Sequence, residues 1–362
     1  MEAIKTKAYG AKASLIDRLS SLSRMDIERN EPRPDEVQID VLYCGVCHSD
    51  VHQVRNDWSN TVYPCVPGHE IVGKVVRTGS GVTKFSVGDV VGVGCMVDSC
   101  GQCHSCQEGV ENYCEGPVSW TATYNGYMKP DGSGYNTFGG YSTNVVVKES
   151  FVLRIPDALD IKAAAPILCA GVTTYSPLKH WDTQPGDKVA VIGLGGLGHM
   201  AVQLAKAMGA EVTVITHTED KRAVAQQLGA HEVIISTNKA DMMAHELTFD
   251  LLLNTIPDAY DVNPYVQLLK RDGAFVAVGV LGPFKSATNN MEVAIHRRTV
   301  SGSLIGSIAE TQEVLDFCAE HSISPDVEMI AMQDVNKAYD RMLKEDVRFR
   351  FVIDMQTLKD ED

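Results

Sequence analysis

The sequence predicts an α/β protein in which a doubly wound parallel sheet follows a mostly-β part, and three observations predict it. Residues 1 to about 155 break into short β-prone segments separated by Gly, Pro and Asp turns. After Pro156, apolar strands alternate with helical periodicity. One of those strands ends in a glycine run that opens a helix. At 362 residues the chain holds two domains and a large core.

In the first part, Glu36–Tyr43 and Gly68–Arg77 read as strands, and Val87–Gly94 as another entered by a turn. Tyr124–Tyr141 is rich in Gly and Tyr without periodicity and reads as a long surface loop. In the second part the strands are Lys188–Ile192, Glu211–Thr216, His231–Ser236, Leu251–Asn254 and Ala274–Val278. Helices over 197–209 and 219–228 alternate with the first three, which implies βαβ units. The tail adds a helix, Glu310–His321, and a last strand, Arg348–Asp354.

Composition excludes several functions. The apolar share is 44%, the charged share 22% and the formal net charge −15. Such an acidic chain lacks the cationic excess that neutralises phosphates, so neither a nucleic acid nor an anionic membrane is expected as partner. No apolar run approaches the roughly 18–20 residues that span a bilayer, and the N-terminal residues show no apolar signal region. A cytoplasmic location is therefore expected, where thiols stay reduced. There, ten cysteines are read as metal ligands or core residues rather than disulfides.

Lys188–Gly198 ends a strand in Gly193-Leu194-Gly195-Gly196-Leu197-Gly198 and opens a helix. These glycines permit a tight turn and the close approach of a pyrophosphate to a helix N-terminus. An NAD site places Asp or Glu at the tip of the next strand to bind the ribose 2′-hydroxyl. Here the tip is Thr216, followed by His217, with Lys221 and Arg222 beyond. A hydroxyl with cations nearby suits a 2′-phosphate, so NADP(H) is the expected cofactor. Glu219 and Asp220 are read as first-turn acids of the following helix.

Cys100, Cys103, Cys106 and Cys114 are spaced by two, two and seven residues, a pattern that closes a tetrahedral Cys₄ shell on Zn²⁺. Four protein ligands leave no open position, so this zinc is structural. Nearer the N-terminus, Cys44-Gly-Val-Cys-His-Ser-Asp-Val-His52 is dense in reactive groups. Its C-x-x-C pair is compatible with a redox couple, half of a zinc finger or a different metal site.

Cys44-Gly-Val-Cys-His-Ser-Asp50, Gly68-His-Glu70, the four-cysteine lobe, Leu168-Cys-Ala-Gly-Val-Thr173 and Gly193–Gly198 follow one another along the chain. In this order the sequence resembles the zinc-containing medium-chain alcohol dehydrogenases. Pro64–Gly73 and Gly302–Ser307 are similar to the cinnamyl-alcohol-dehydrogenase branch and its bacterial NADP-dependent aldehyde reductases. The resemblance implies a GroES-like mostly-β catalytic domain over 1–157 and 304–362, with a Rossmann NADP-binding domain over 158–303. It implies two Zn²⁺ per chain, a homodimer, and aldehyde–alcohol interconversion with NADP(H).

By this resemblance Cys47, His69 and Cys169 hold a catalytic zinc with one open position, and Glu70 approaches the metal or pairs with a nearby cation. Ser49 and His52 form a proton relay, while Cys44 is a buried thiol. His48, Thr173, Thr255, Gly279, Ser303, Leu304 and Ile305 contact the cofactor, and Trp58, Trp120 and Leu304 fall near the substrate. Two departures stand out. Ser49 replaces the Thr of many relatives, which keeps the hydroxyl, and Pro117–Gly140 does not follow the plant lignin enzymes closely. A zinc-less quinone reductase shares the fold but lacks the Cys47, His69 and Cys169 set. A polyol dehydrogenase lacks the complete lobe, and a zinc-finger interaction module leaves the nucleotide motif unexplained.

Overall fold

Runs such as Val189-Ala-Val-Ile192 and Leu251-Leu-Leu253, apolar on both faces, build strands that must be covered from two sides, which is the habit of a parallel sheet. The structure, a computed structural model, describes residues 3–13, 22–279, 282–344, 346 and 349–361. It divides into two compact units, Met1–Cys169 with Ser307–Asp362, and Ala170–Gly306.

The second unit carries six strands: β1 Lys188–Ile192, β2 Glu211–Thr216, β3 Glu232–Ile235, β4 Phe249–Asn254, β5 Leu269–Ala277 and β6 Thr299–Gly302. They hydrogen-bond in the order β3-β2-β1-β4-β5-β6, all parallel. The order reverses between β1 and β4, and an open sheet of this kind binds its ligand at that crevice, beyond the strand carboxyl ends. Ile192, Ile215, Leu252, Phe249 and Phe275 pack into one buried cluster of this unit. The expected helix over 219–228 is divided into a 3₁₀ turn, Glu219–Lys221, and the helix Arg222–Leu228.

The first unit is dominated by a seven-stranded sheet around Glu36–Val46, which pairs with Ile71–Thr78, Asn144–Lys148 and Arg350–Asp354. Two of its registers position chemistry. Ile71 faces Cys44, and Phe351 faces Val46, so His69, Glu70 and Arg350 all arrive where the strand ends at Cys47. Arg348 of the expected last strand lies outside the described residues. Tyr124–Tyr141 forms no named helix or strand, but it is not simply a surface loop: Tyr124, Asn125 and Tyr141 are buried. Asn125 accepts from the Val62 amide at 2.7 Å, and Asn136 donates to the Pro64 carbonyl at 2.8 Å, which fastens the segment to the chain before His69. No helix among the described residues is long and apolar enough to cross a membrane.

Candidate active site

Helix His48–Arg55 begins directly after the strand that carries Cys44. Its N-cap is Cys47, and Asp50 closes a capping box by accepting from the Cys47 amide at 2.9 Å. Cys169 lies within a single π-helical turn, Ile167–Gly171, that interrupts an otherwise α-helical stretch. Such turns concentrate at functional sites because they re-aim side chains.

These elements bring together Cys47, His69, Glu70 and Cys169, all buried, with candidate ligand atoms within 4.8 Å of one another. His69 Nε2 lies 3.2 Å from Cys169 Sγ. The opposite ring nitrogen, Nδ1, is 3.1 Å from Asp50 Oδ1, which fixes the orientation expected of a metal-bound imidazole. A hydrogen bond from Cys169 holds the Cys47 thiol well below its ordinary range, toward the thiolate that binds metal. Cys44, by contrast, is pushed well above that range by burial and then by Asp50, and its Sγ lies against the Gly45 carbonyl. The C-x-x-C pair is thus divided between one candidate ligand and one inert core thiol.

Glu70 Oε1 pairs with Arg350. Its Oε2 has no hydrogen-bond partner among the described residues, which suits a carboxylate that turns to a metal. A Cβ on Gly45 would lie 1.9 Å from that oxygen, so only glycine leaves room for it. Two residues beyond the sequence reading join this site. Arg350 arrives by strand register, and Cys95 hydrogen-bonds Cys169, which lowers its thiol from the ordinary value.

The second cluster is the lobe. The Sγ atoms of Cys100 and Cys106 are 3.9 Å apart, as are those of Cys103 and Cys114. Zinc–sulfur bonds of about 2.3 Å in a tetrahedron separate sulfurs by roughly 3.8 Å, so the four thiols fit a Cys₄ zinc. Amides of Gln102 and Cys103 lower the Cys100 thiol to about 6. His104 stays outside and faces Glu108 at 3.3 Å.

His52 is buried on the same helix as Ser49. Its Nδ1 is 2.8 Å from Asp57 Oδ2, and its Nε2 has no hydrogen-bond partner among the described residues. Asp57 is a third residue that spacing did not reveal, although it lies only five positions away. His48 is exposed and stacks on His52, with ring centroids 6.2 Å apart. Trp58 meets the His52 ring edge-on at 5.7 Å, and Trp120 is buried in the same unit.

In the second unit the glycine turn follows β1. Gly193 has φ +90°, and a Cβ on Gly198 would lie 2.1 Å from the Gly193 carbonyl, so strand and helix touch there. Gly195 faces open space, where a bound pyrophosphate would be approached by bare backbone. Gly196 and Leu197 complete the turn, and the buried Leu194 anchors it. Thr255 Oγ1 donates to the Ile192 carbonyl at 2.9 Å, so this hydroxyl supports the turn. Gly279 abuts the Ile256 carbonyl, where a Cβ would come within 2.4 Å.

The Thr173 hydroxyl is buried without a partner among the described residues, as a ligand-facing group would be. Ser303 donates its amide to the Ala277 carbonyl at 3.0 Å. Leu304 follows, and Ile305 holds φ +44°, a strained setting for a β-branched residue. At the β2 tip, Thr216 is buried and His217 exposed. Arg222 donates to Glu219 at 2.7 and 3.0 Å and to the Val233 carbonyl at 3.0 Å, and Lys221 precedes it at the end of the 3₁₀ turn.

Comparison with known proteins identifies the family. Residues 33–157 match the alcohol dehydrogenase GroES-like domain, and residues 196–320 match the zinc-binding dehydrogenase model. The chain is 51% identical to aldehyde reductase YahK of Escherichia coli over 358 residues, covering 99% of this chain and all of that one. A cinnamyl alcohol dehydrogenase from Sorghum bicolor superposes with a TM-score of 0.93 at 41% identity, covering 99% and 100% of the two chains. The Helicobacter pylori cinnamyl alcohol dehydrogenase solved with NADP(H) does so at 0.88 and 38%, covering 98% and 99%. The chain is an oxidoreductase that belongs to the zinc-binding alcohol dehydrogenase family, with a GroES-like domain and a Rossmann domain.

Proposed function

We propose that the chain is a zinc-dependent NADPH aldehyde reductase, working mainly toward primary alcohols on aromatic and aliphatic aldehydes, cinnamaldehyde-like ones included. The observation that carries this reading is the convergence of Cys47, His69 and Cys169 beside a Glu70 oxygen that has no hydrogen-bond partner among the described residues. Three ligands with an open position are the donor set of a catalytic zinc. The first unit then bears the chemistry and the structural zinc of the Cys₄ lobe, and the second holds the cofactor. NADP(H) is supported by Thr216 with His217 and Lys221, and by the NADP(H) complex of the Helicobacter relative.

When bound, the zinc supplies Lewis-acid polarisation of the aldehyde oxygen and the cofactor supplies hydride. The protein's own part is proton management and orientation. Ser49 presents a hydroxyl to the substrate oxygen. Asp57 accepts Nδ1–H of His52, which leaves Nε2 as the atom that takes and gives the proton. Asp50 holds the His69 ring in place. A homodimer in the cytoplasm is the working form that the family resemblance implies.

A panel of aromatic and aliphatic aldehydes, assayed with NADPH and with NADH and repeated after chelation, tests the reading. Turnover of aldehydes that prefers NADPH and disappears on zinc removal is expected. Undiminished activity in zinc-free protein overturns it.

A further inference from the structure

The Asp50 carboxylate is fully buried and, among the described residues, receives four donors. Oδ2 accepts from the Cys47 amide at 2.9 Å, and Oδ1 from the Gly68 amide at 3.0 Å and His69 Nδ1 at 3.1 Å. The fourth is the Tyr141 hydroxyl, 3.4 Å from Oδ2, and behind it the Tyr339 hydroxyl lies 3.5 Å from that of Tyr141. Three donors are therefore the two ligand-bearing turns and a ligand itself. Tyr141 is the one donor that is neither.

We propose that Tyr141 is a positioning residue for the catalytic metal, acting through Asp50 and backed by Tyr339. Its backbone is already zipped onto the turn before His69: the Tyr141 amide donates to Pro67 at 3.0 Å, and the Gly140 amide to Gly68 at 2.8 Å. The ring fills the space beside Gly68, where a Cβ would come within 2.6 Å of Cδ1. Phenylalanine would serve that packing equally, and a buried hydroxyl is costly unless its hydrogen bond is used. Burial, reinforced by the Asp50 charge, raises both phenols well above their ordinary value, so they remain donors at neutral pH.

A donor on Oδ2 draws charge from the carboxylate and limits its rotation. It thereby sets how strongly Asp50 polarises the His69 ring and in which plane the ring stands. Both contacts are longer than the ~2.8 Å usual for O–H···O, so the influence is graded rather than all-or-none.

The inference rests on Cys47, His69 and Cys169 being the catalytic ligands. Tyr141→Phe and Tyr339→Phe, each as holoenzyme with two zincs, are compared with the parent by the rate of zinc loss to a chelator and by the visible spectrum of the cobalt-substituted site. Removing a residue in direct contact with a ligand costs about 10–100-fold in metal affinity. One shell further out, Tyr141→Phe is expected to release the catalytic zinc about 3–10-fold faster and to shift the cobalt bands, with Tyr339→Phe moving both readouts less and in the same direction. The structural zinc supplies an internal control, and Cys47→Ser identifies the catalytic phase by lacking it. Parent-like release and unshifted bands in both variants, with that phase absent from Cys47→Ser, overturn the inference alone. Persistence of the phase in Cys47→Ser overturns the ligand assignment and the inference with it. Should Tyr141→Phe fail to fold, Tyr339→Phe decides by the same two readouts.

Discussion

Arg350 and Glu70 form a buried ion pair across 280 residues of chain, joining the last strand to the residue that follows a candidate zinc ligand. Breaking such a pair strands a charge in low dielectric at about 3–5 kcal/mol. Arg350→Met is therefore expected to unfold at markedly lower denaturant, and Glu70→Gln/Arg350→Met to recover part of the loss. Equal midpoints for the parent and the single variant would contradict the pairing.

The contact of His52 Nδ1 with Asp57 predicts a kinetic effect. Asp57→Asn leaves the helix intact but replaces the proton acceptor that fixes the tautomer. Positioned acid–base groups contribute about 10²–10⁴-fold, and loss of an orienting partner should cost part of this. A fall in kcat of about tenfold or more, with a displaced pH profile and little change in aldehyde KM, is expected. An unchanged profile removes Asp57 from the relay.

Cofactor choice separates two adjacent cations. Arg222 is held by Glu219, so Arg222→Ala should leave the NADPH-to-NADH preference within about twofold. Lys221→Ala should lower it about tenfold, which corresponds to ~1.4 kcal/mol. Steady-state kinetics with both cofactors measures this, and the reverse ranking would return the phosphate to Arg222.

In the lobe, four thiols lie close enough to supply the whole shell of one zinc. Cys103→Ala is expected to bind one zinc per chain instead of two and to melt earlier, because structural zinc binding is folding energy. Retention of two zincs, read by elemental analysis, refutes the assignment.

The second unit was readable because its signals are contiguous. Strand periodicity, Gly193–Gly198 and the Thr216 tip occupy one stretch, and local physics forms them. The first unit's site was only partly readable. Cys47, His69 and Cys169 are brought together by fold, so a resemblance rather than spacing assembled them. Arg350 could not be found at all without the register of Phe351 on Val46. Tyr124–Tyr141 lacks periodicity, which marks irregular backbone but not exposure; its buried aromatics were the available signal. Arg222 illustrates a different limit, since its nearness in sequence did not show the ion pair it makes with Glu219.

The most direct test is the zinc content and activity of Cys47→Ser. The account predicts a folded protein that keeps the lobe zinc, loses the second and no longer reduces aldehydes. A folded variant with two zincs and parental turnover would contradict it.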